Sequence, residues 1–205
     1  MDTKYFDKKA EHWDAAQARV QRAEKIYRNI AERITLHGTD SVLDFGCGTG
    51  LLGFHFAEKA GTVTFADTSA GMLEQIVKKA ELAGITNYKT LNVAENEIAE
   101  QYHIIVSLMA LHHIEDTDKT VRRLADRLCK GGFVCFSDLD VEDGSFHYPD
   151  VAPHNGIDRS TVTGALAARG VTVIYNETVH IDTKTVNGQE KEYPVFLIIG
   201  RHEAR

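Results

Sequence analysis

The run Ser41-Val42-Leu43-Asp44-Phe45-Gly46-Cys47-Gly48-Thr49-Gly50 constrains the rest of the chain. Its first five residues are mostly apolar, the mark of a short buried strand. Three glycines then break both strand and helix and open the positive-φ region. Leu51 to Lys59 carries apolar residues at 51, 52, 54, 56 and 57 and ends in Ala60-Gly61, which predicts a helix stopped by glycine. Strand, glycine turn and helix make a βα unit, which brings backbone N–H groups and a helix N-terminus to a nucleotide-like ligand.

Gly48-Thr49-Gly50-Leu51-Leu52-Gly53 fits the G-x-G-x-x-G pattern, and Asp67 follows at a distance suited to a ribose contact. Asp44 argues against a dinucleotide. A pyrophosphate over the turn would meet a carboxylate at the strand's end, a like-charge contact that costs free energy in a partly buried site. A ligand carrying an ammonium and a sulfonium would gain from the same carboxylate. S-adenosylmethionine (SAM) is such a ligand.

Val42-Leu43-Asp44-Phe45-Gly46-Cys47-Gly48-Thr49-Gly50 resembles the SAM-binding first motif of class I methyltransferases, of the small-molecule, ubiquinone-biosynthesis-like type. The resemblance implies an α/β fold: a doubly wound, mostly parallel seven-stranded, Rossmann-like sheet with helices on both faces and a C-terminal antiparallel hairpin. It covers residues 40 to 140 by motif and the remainder by architecture. It implies SAM as cofactor and S-adenosylhomocysteine as product. By this likeness Asp44, Gly46, Cys47 and Gly48 hold the cofactor at the turn. Asp67, ending the second strand, accepts from the ribose hydroxyls, with Thr68 beside it. Met72 lies near the adenine, with Val93 and Ala94 at the end of the third strand. Leu108 and Met109 follow the fourth strand, where backbone carbonyls address the methionine ammonium. Val93-Ala94 departs from the family's Asp-Ala, so the acid for the adenine amino group is missing; Glu95 is the adjacent carboxylate.

One domain over 1–205 is expected, with an N-terminal helical cover at 1–38 and the core at 39–205. In the cover, Tyr5, Phe6, Ala10 and Trp13 share one face, and Val20, Ala23, Ile26, Tyr27, Ile30 and Ile34 form a second stripe. Trp13 or Tyr5 is a candidate for facing cofactor or substrate, and Arg19 and Arg22 for reaching the cofactor carboxylate. Further strands are expected at 62–66, 88–93, 102–108 and 133–137, with helices at 70–83, 117–129 and 159–169. Asn187-Gly188 between two β-prone runs signals the closing hairpin.

A formal net charge of −7 disfavours a nucleic-acid partner. The basic pairs Lys78-Lys79 and Arg122-Arg123 read as solvated helix faces. No apolar run approaches membrane-span length, so no membrane partner is expected. Three scattered cysteines without C-x-x-C fit a reducing cytoplasm and argue against a zinc site or a disulfide frame. Oligomeric state is not encoded in any signal of the chain.

Methyl transfer from a sulfonium needs position and electrostatics more than a reactive side chain. A base is needed only for an acceptor whose proton has a high pKa. His147, His154 and His112 are the catalytic candidates, with Asp140 as a further base. His112 and His113 are adjacent, and adjacent residues on a helix do not face each other, so a shared metal is not expected. Asp138, Asp140, Glu142 and Asp143 read as a solvated acidic loop. A small-molecule acceptor is the expected substrate. Two other readings stay open: a SAM-binding regulator or scaffold without turnover, and a nicotinamide-dependent dehydrogenase.

Overall fold

The structure, a computed structural model, describes residues 3–203. Strand β1 (Ser41–Phe45) lies at the centre. It pairs in parallel with β2 (Thr62–Asp67) on one side and β4 (Tyr102–Leu108) on the other. β3 (Tyr88–Asn92) extends the sheet beyond β2, and β5 (Leu128–Leu139) extends it beyond β4, both in parallel. β6 (Val171–Val186) and β7 (Gln189–His202) form the hairpin. The order is β3-β2-β1-β4-β5-β7-β6, so the last strand sits between β5 and β6, antiparallel to both.

The central strands are buried on both faces because successive side chains point to opposite layers. Val42 and Ile104 enter one apolar layer, with α2 (Gln17–Ala31), α3 (Gly53–Ala57) and α4 (Ala70–Ala83). Leu43 and Ile105 enter the other, with α5 (Thr117–Ala125) and α6 (Arg159–Ala167). Ahead of α2 stand α1 (Thr3–Lys9) and a 3-10 turn over Ala10–Ala15, both packed on α4. The expected doubly wound sheet with a closing hairpin is what the chain forms.

Three local expectations are corrected. The helix over 51–59 is regular only for Gly53–Ala57, with turns on either side. α5 ends at Ala125 rather than at 129, and Lys130-Gly131-Gly132 belongs to β5. Gly131 takes φ +76° beside a register shift between Tyr102 and Ile104, so the glycine pair bends the strand. Lys79 is not simply solvated: it donates to Asp14 Oδ2 at 2.6 Å and to the Thr49 carbonyl at 2.7 Å. Asn187 and Gly188 both take positive φ, 51° and 78°, as a two-residue hairpin turn requires.

Candidate active site

The glycine turn starts where β1 ends, at the carboxyl edge of the sheet, where doubly wound folds bind ligands. Gly46 has φ +65°, and a Cβ there would stand 2.4 Å from the Ala110 Cβ. Only glycine lets the turn pass this close to the segment after β4. Asp44 is 1% exposed, and its Oδ2 accepts the Gly53 amide at 2.9 Å. Burial pushes its carboxyl up to about 7. Asp67 accepts the Gly48 amide at 2.8 Å and the Ser69 amide at 2.9 Å. Burial raises its pKa against the pull of those amides. Ser69 caps α4 by accepting the Met72 amide at 3.1 Å.

A cavity of about 400 Å³ opens over this turn. Asp44, Gly46, Cys47, Gly48, Asp67, Thr68, Met72, Val93, Leu108 and Met109 all line it. Ala94 does not: β3 stops at Asn92, and the Ala94 amide turns back to donate to Asn92 Oδ1 at 3.0 Å. Glu95 is likewise outside the lining and exposed. Met109 holds φ 56°, a costly conformation for a side chain larger than glycine, directly after β4. The Cys47 thiol is buried and its pKa is raised by burial first and by Asp44 and Asp67 next, which makes it an unreactive filler of the turn.

The N-terminal cover supplies Thr3, Phe6, Trp13, Arg19 and Arg22 to the same cavity. Two carboxylates pin the cover to the core. Asp7 Oδ1 accepts from the Ser69 hydroxyl at 2.6 Å and the Gly71 amide at 3.0 Å. Asp14 accepts from the Thr49 hydroxyl at 2.5 Å and from Lys79. Arg22 forms an ion pair with the buried Asp182 of β6, and Arg19 stacks over the Trp13 ring at 4.0 Å.

A second cavity, of about 360 Å³, adjoins the first. Phe6, Trp13, Arg19, Arg22, Met109 and His113 line both. The second adds Tyr5, Lys9, His112, Phe146, His147, Asp150, Asp182 and Lys184 among others. His112 and His113 stand on a 3-10 turn (Leu111–His113), not on a helix, and their ring centroids are 4.0 Å apart. The His147 ring lies 5.0 Å from each. His112 Nδ1 pairs with Asp138 Oδ1, and both side chains are sealed from solvent. Asp138 also accepts the Leu111 amide at 2.8 Å, so the acid expected in a solvated loop is instead the anchor of the histidine turn. Burial, followed by the neighbouring histidines, pulls His113 down to about 2; burial and His112 pull His147 down to about 4.

His154 is not part of this cluster. Its Nε2 lies 2.9 Å from the Ile114 carbonyl and 3.1 Å from that of Glu115, and it lines neither cavity. Asp140 is held by Arg159 at 2.6 and 2.5 Å, and Asp143 by Lys191 at 2.6 Å. The acidic loop is therefore a set of separate ion pairs and hydrogen bonds. Phe45, Ala110 and Ile114 line the first cavity without having been singled out as site residues, as does His113, which was weighed only together with His112. His113 carried a signal only through its neighbour; Phe45 is the last residue of β1, and Ala110 and Ile114 flank the 3-10 turn.

Residues 43–134 match the family model of a methyltransferase domain. Over 112 residues the chain is 35% identical to the ubiquinone biosynthesis O-methyltransferase of Bordetella avium, covering 51% of this chain and 45% of the relative. The chain spans between 45% and 63% of the length of the first curated relatives it matches. The crystal structure of a protein classed as a methyltransferase from Bacillus halodurans superposes with a TM-score of 0.74 at 15% identity, over 87% of this chain and 99% of that one. The N-methyltransferase NodS of Bradyrhizobium japonicum, solved with S-adenosylhomocysteine, gives 0.65 at 14% identity, over 92% and 87%. At such identities the two structures speak for the fold alone. The fold is that of the SAM-dependent methyltransferases. Sheet order and matched segment are those that the chain shares with methyltransferase domains, by sequence over residues 43–134.

Proposed function

We propose that this protein transfers the methyl group of SAM to a small-molecule acceptor, with the donor in the first cavity and the acceptor in the second. The observation that carries this is the shared wall of Phe6, Trp13, Arg19, Arg22, Met109 and His113. Adenosine runs from Asp67 toward Val93, and the methionine end lies over Gly46–Gly48 and beside Met109. Ala94 plays no part in that pose. The sulfonium methyl then points across the wall, where an acceptor atom in the second cavity attacks it in line. The C–S bond breaks, its electron pair stays on sulfur, and S-adenosylhomocysteine leaves.

Binding and alignment of the two reactants supply roughly 7–11 kcal/mol of barrier lowering in reactions of this kind. The second cavity sets Lys9, Arg19, Arg22 and Lys184 against Asp150 and Asp182. That balance favours a polar acceptor bearing negative charge. The three free thiols, Cys47, Cys129 and Cys135, support a reducing cytoplasm as the setting. No helix among the described residues is long and apolar enough to cross a membrane.

Calorimetry with SAM and with NAD, followed by release of S-adenosylhomocysteine over a panel of phenols, carboxylic acids and amines, tests the reading. SAM binding with turnover on one acceptor class is expected. NAD binding without SAM binding overturns it, and SAM binding without turnover on any acceptor makes the chain a SAM-dependent regulator or scaffold.

A further inference from the structure

We propose that His112, His113 and His147 together bind one divalent transition-metal ion of the zinc type, at the wall between the two cavities. Each residue offers one ring nitrogen, and the three ligand atoms lie within 4.8 Å of one another. His112 Nε2, His113 Nδ1 and His147 Nε2 are all buried and have no hydrogen-bond partner. Three orphaned nitrogens in one place are an anomaly for a folded protein, where buried polar atoms are paired. A shared cation satisfies all three at once.

The surroundings have the form of a metal site. Asp138 faces His112 Nδ1 from a fully buried position. A carboxylate only accepts, so it draws the ring proton to Nδ1 and leaves the Nε2 lone pair toward the cluster. A carboxylate behind a ligating histidine is the usual outer support of such sites, since it orients the ring and raises its basicity. Three imidazoles select zinc, cobalt, nickel, iron or copper and disfavour magnesium and calcium, which take oxygen ligands. A tetrahedral ion with bonds of about 2.0–2.1 Å holds its ligand atoms about 3.4 Å apart. The rings therefore close inward when it binds, and His147, outside any helix or strand, has the freedom to move.

Three protein ligands leave a fourth position, the arrangement of catalytic rather than structural zinc. That position opens to the second cavity, which all three histidines line. Resting on the proposed methyl transfer, an acceptor hydroxyl bound there is acidified and gives its proton to solvent. Its oxygen then forms the bond to the methyl carbon as the C–S bond breaks onto sulfur.

Zinc chloride titrated into the untagged, chelator-treated full chain tests the site. One ion per chain is expected, and cobalt in its place should give visible absorption of a low-symmetry, nitrogen-rich site. His147→Ala and His112→Ala should each weaken zinc binding by at least about tenfold, and Asp138→Asn by about 10–100-fold. His37→Ala, an exposed histidine at the amino end of β1, should leave it unchanged. Because His112 packs on a buried acid, His147→Ala on the loop is the decisive variant. No stoichiometric zinc, or zinc bound equally well by His147→Ala and His112→Ala, overturns the site. SAM calorimetry on the same samples keeps the two readings apart: zinc without SAM sinks the methyl transfer alone, and SAM without zinc sinks the metal site alone.

Discussion

Asp67 Oδ2 accepts the Gly48 amide at 2.8 Å, so the acid that ends β2 holds the glycine turn that follows β1. Its other oxygen accepts the Ser69 amide at the start of α4. One carboxylate thus joins a strand end, a turn and a helix.

Asp67→Ala is therefore expected to lower both affinity and stability. Loss of two charge-assisted bonds to the ribose, offset by water, should cost about 2–3 kcal/mol, a thirty- to two-hundredfold rise in the SAM Kd. Freeing the Gly48 and Ser69 amides should cost a further ~1–2 kcal/mol of folding stability. Asp67→Asn should fall between the two. Calorimetry beside urea denaturation measures both; an alanine variant with unchanged SAM affinity would overturn the pose.

Asp44 sets a pH dependence. Burial raises its folded pKa to about 7, well above the usual carboxylate range. A raised pKa means that the folded state holds its proton more tightly than the unfolded chain. The corresponding stability is fully present below about pH 4 and is lost as pH rises through about 7. Over that window the ligand-free protein should lose on the order of 2–4 kcal/mol from this group, and Asp44→Asn should flatten the profile. A cationic ligand favours the ionised acid, so SAM affinity should rise between pH 6 and 8. Urea midpoints at four pH values, with and without SAM, supply the check.

Gly46→Ala should disrupt the site more than its size suggests. The added methyl meets Ala110 at 2.4 Å, and the backbone is at φ +65°. A cost of about 2–4 kcal/mol follows from overpacking and strain together. Since Ala110 follows Met109, the loss of SAM binding should exceed the loss of stability. Cavity-lining probes such as Trp13 fluorescence would report a shifted cover; an alanine variant with wild-type melting and binding would contradict the close approach.

Asp14→Ala tests the cover. Its carboxylate holds the Thr49 hydroxyl at 2.5 Å and Lys79 at 2.6 Å, all within a partly exposed cluster. Screening reduces the ion pair's worth, so about 1 kcal/mol of stability is expected to go. SAM should dissociate several-fold faster, because residues 3–15 are then tied to the core chiefly through Asp7. Stopped-flow displacement of SAM reads this directly, and an unchanged off-rate would mean that the cover is held elsewhere.

What the chain reveals without a structure follows from the range of each signal. The glycine turn, the acid ending β2 and the Asn187-Gly188 hairpin were legible because their causes lie within a few residues. The lining of the first cavity followed, since it hangs on one βα unit and the ends of its neighbouring strands. Ala94 lies outside the lining of the first cavity, because β3 ends at Asn92, one residue short of the expected 93. The histidine cluster was not legible at all. It depends on a 3-10 turn where a helix was assumed, on β5 lying beside β4 to bring Asp138 under His112, and on a loop returning His147 from 34 positions away. Lys79 looked as solvated as Lys78 for the same reason: its partner Asp14 is 65 residues distant.

The placement of β7 between β5 and β6 divides the molecule in time as well as in space. Strands β1 to β4 can pair as they emerge from synthesis, and with them the glycine turn and Asp67 come together. The loop carrying His147 has no such early support. The Asp140 amide waits for the Pro194 carbonyl, Asp143 for Lys191, and the Ser145 hydroxyl for Tyr193. All three partners lie on the last strand, without which β6 also has no neighbour. The first cavity thus rests on contacts between neighbouring strands, and the loop beside the second is completed by residues 189–202.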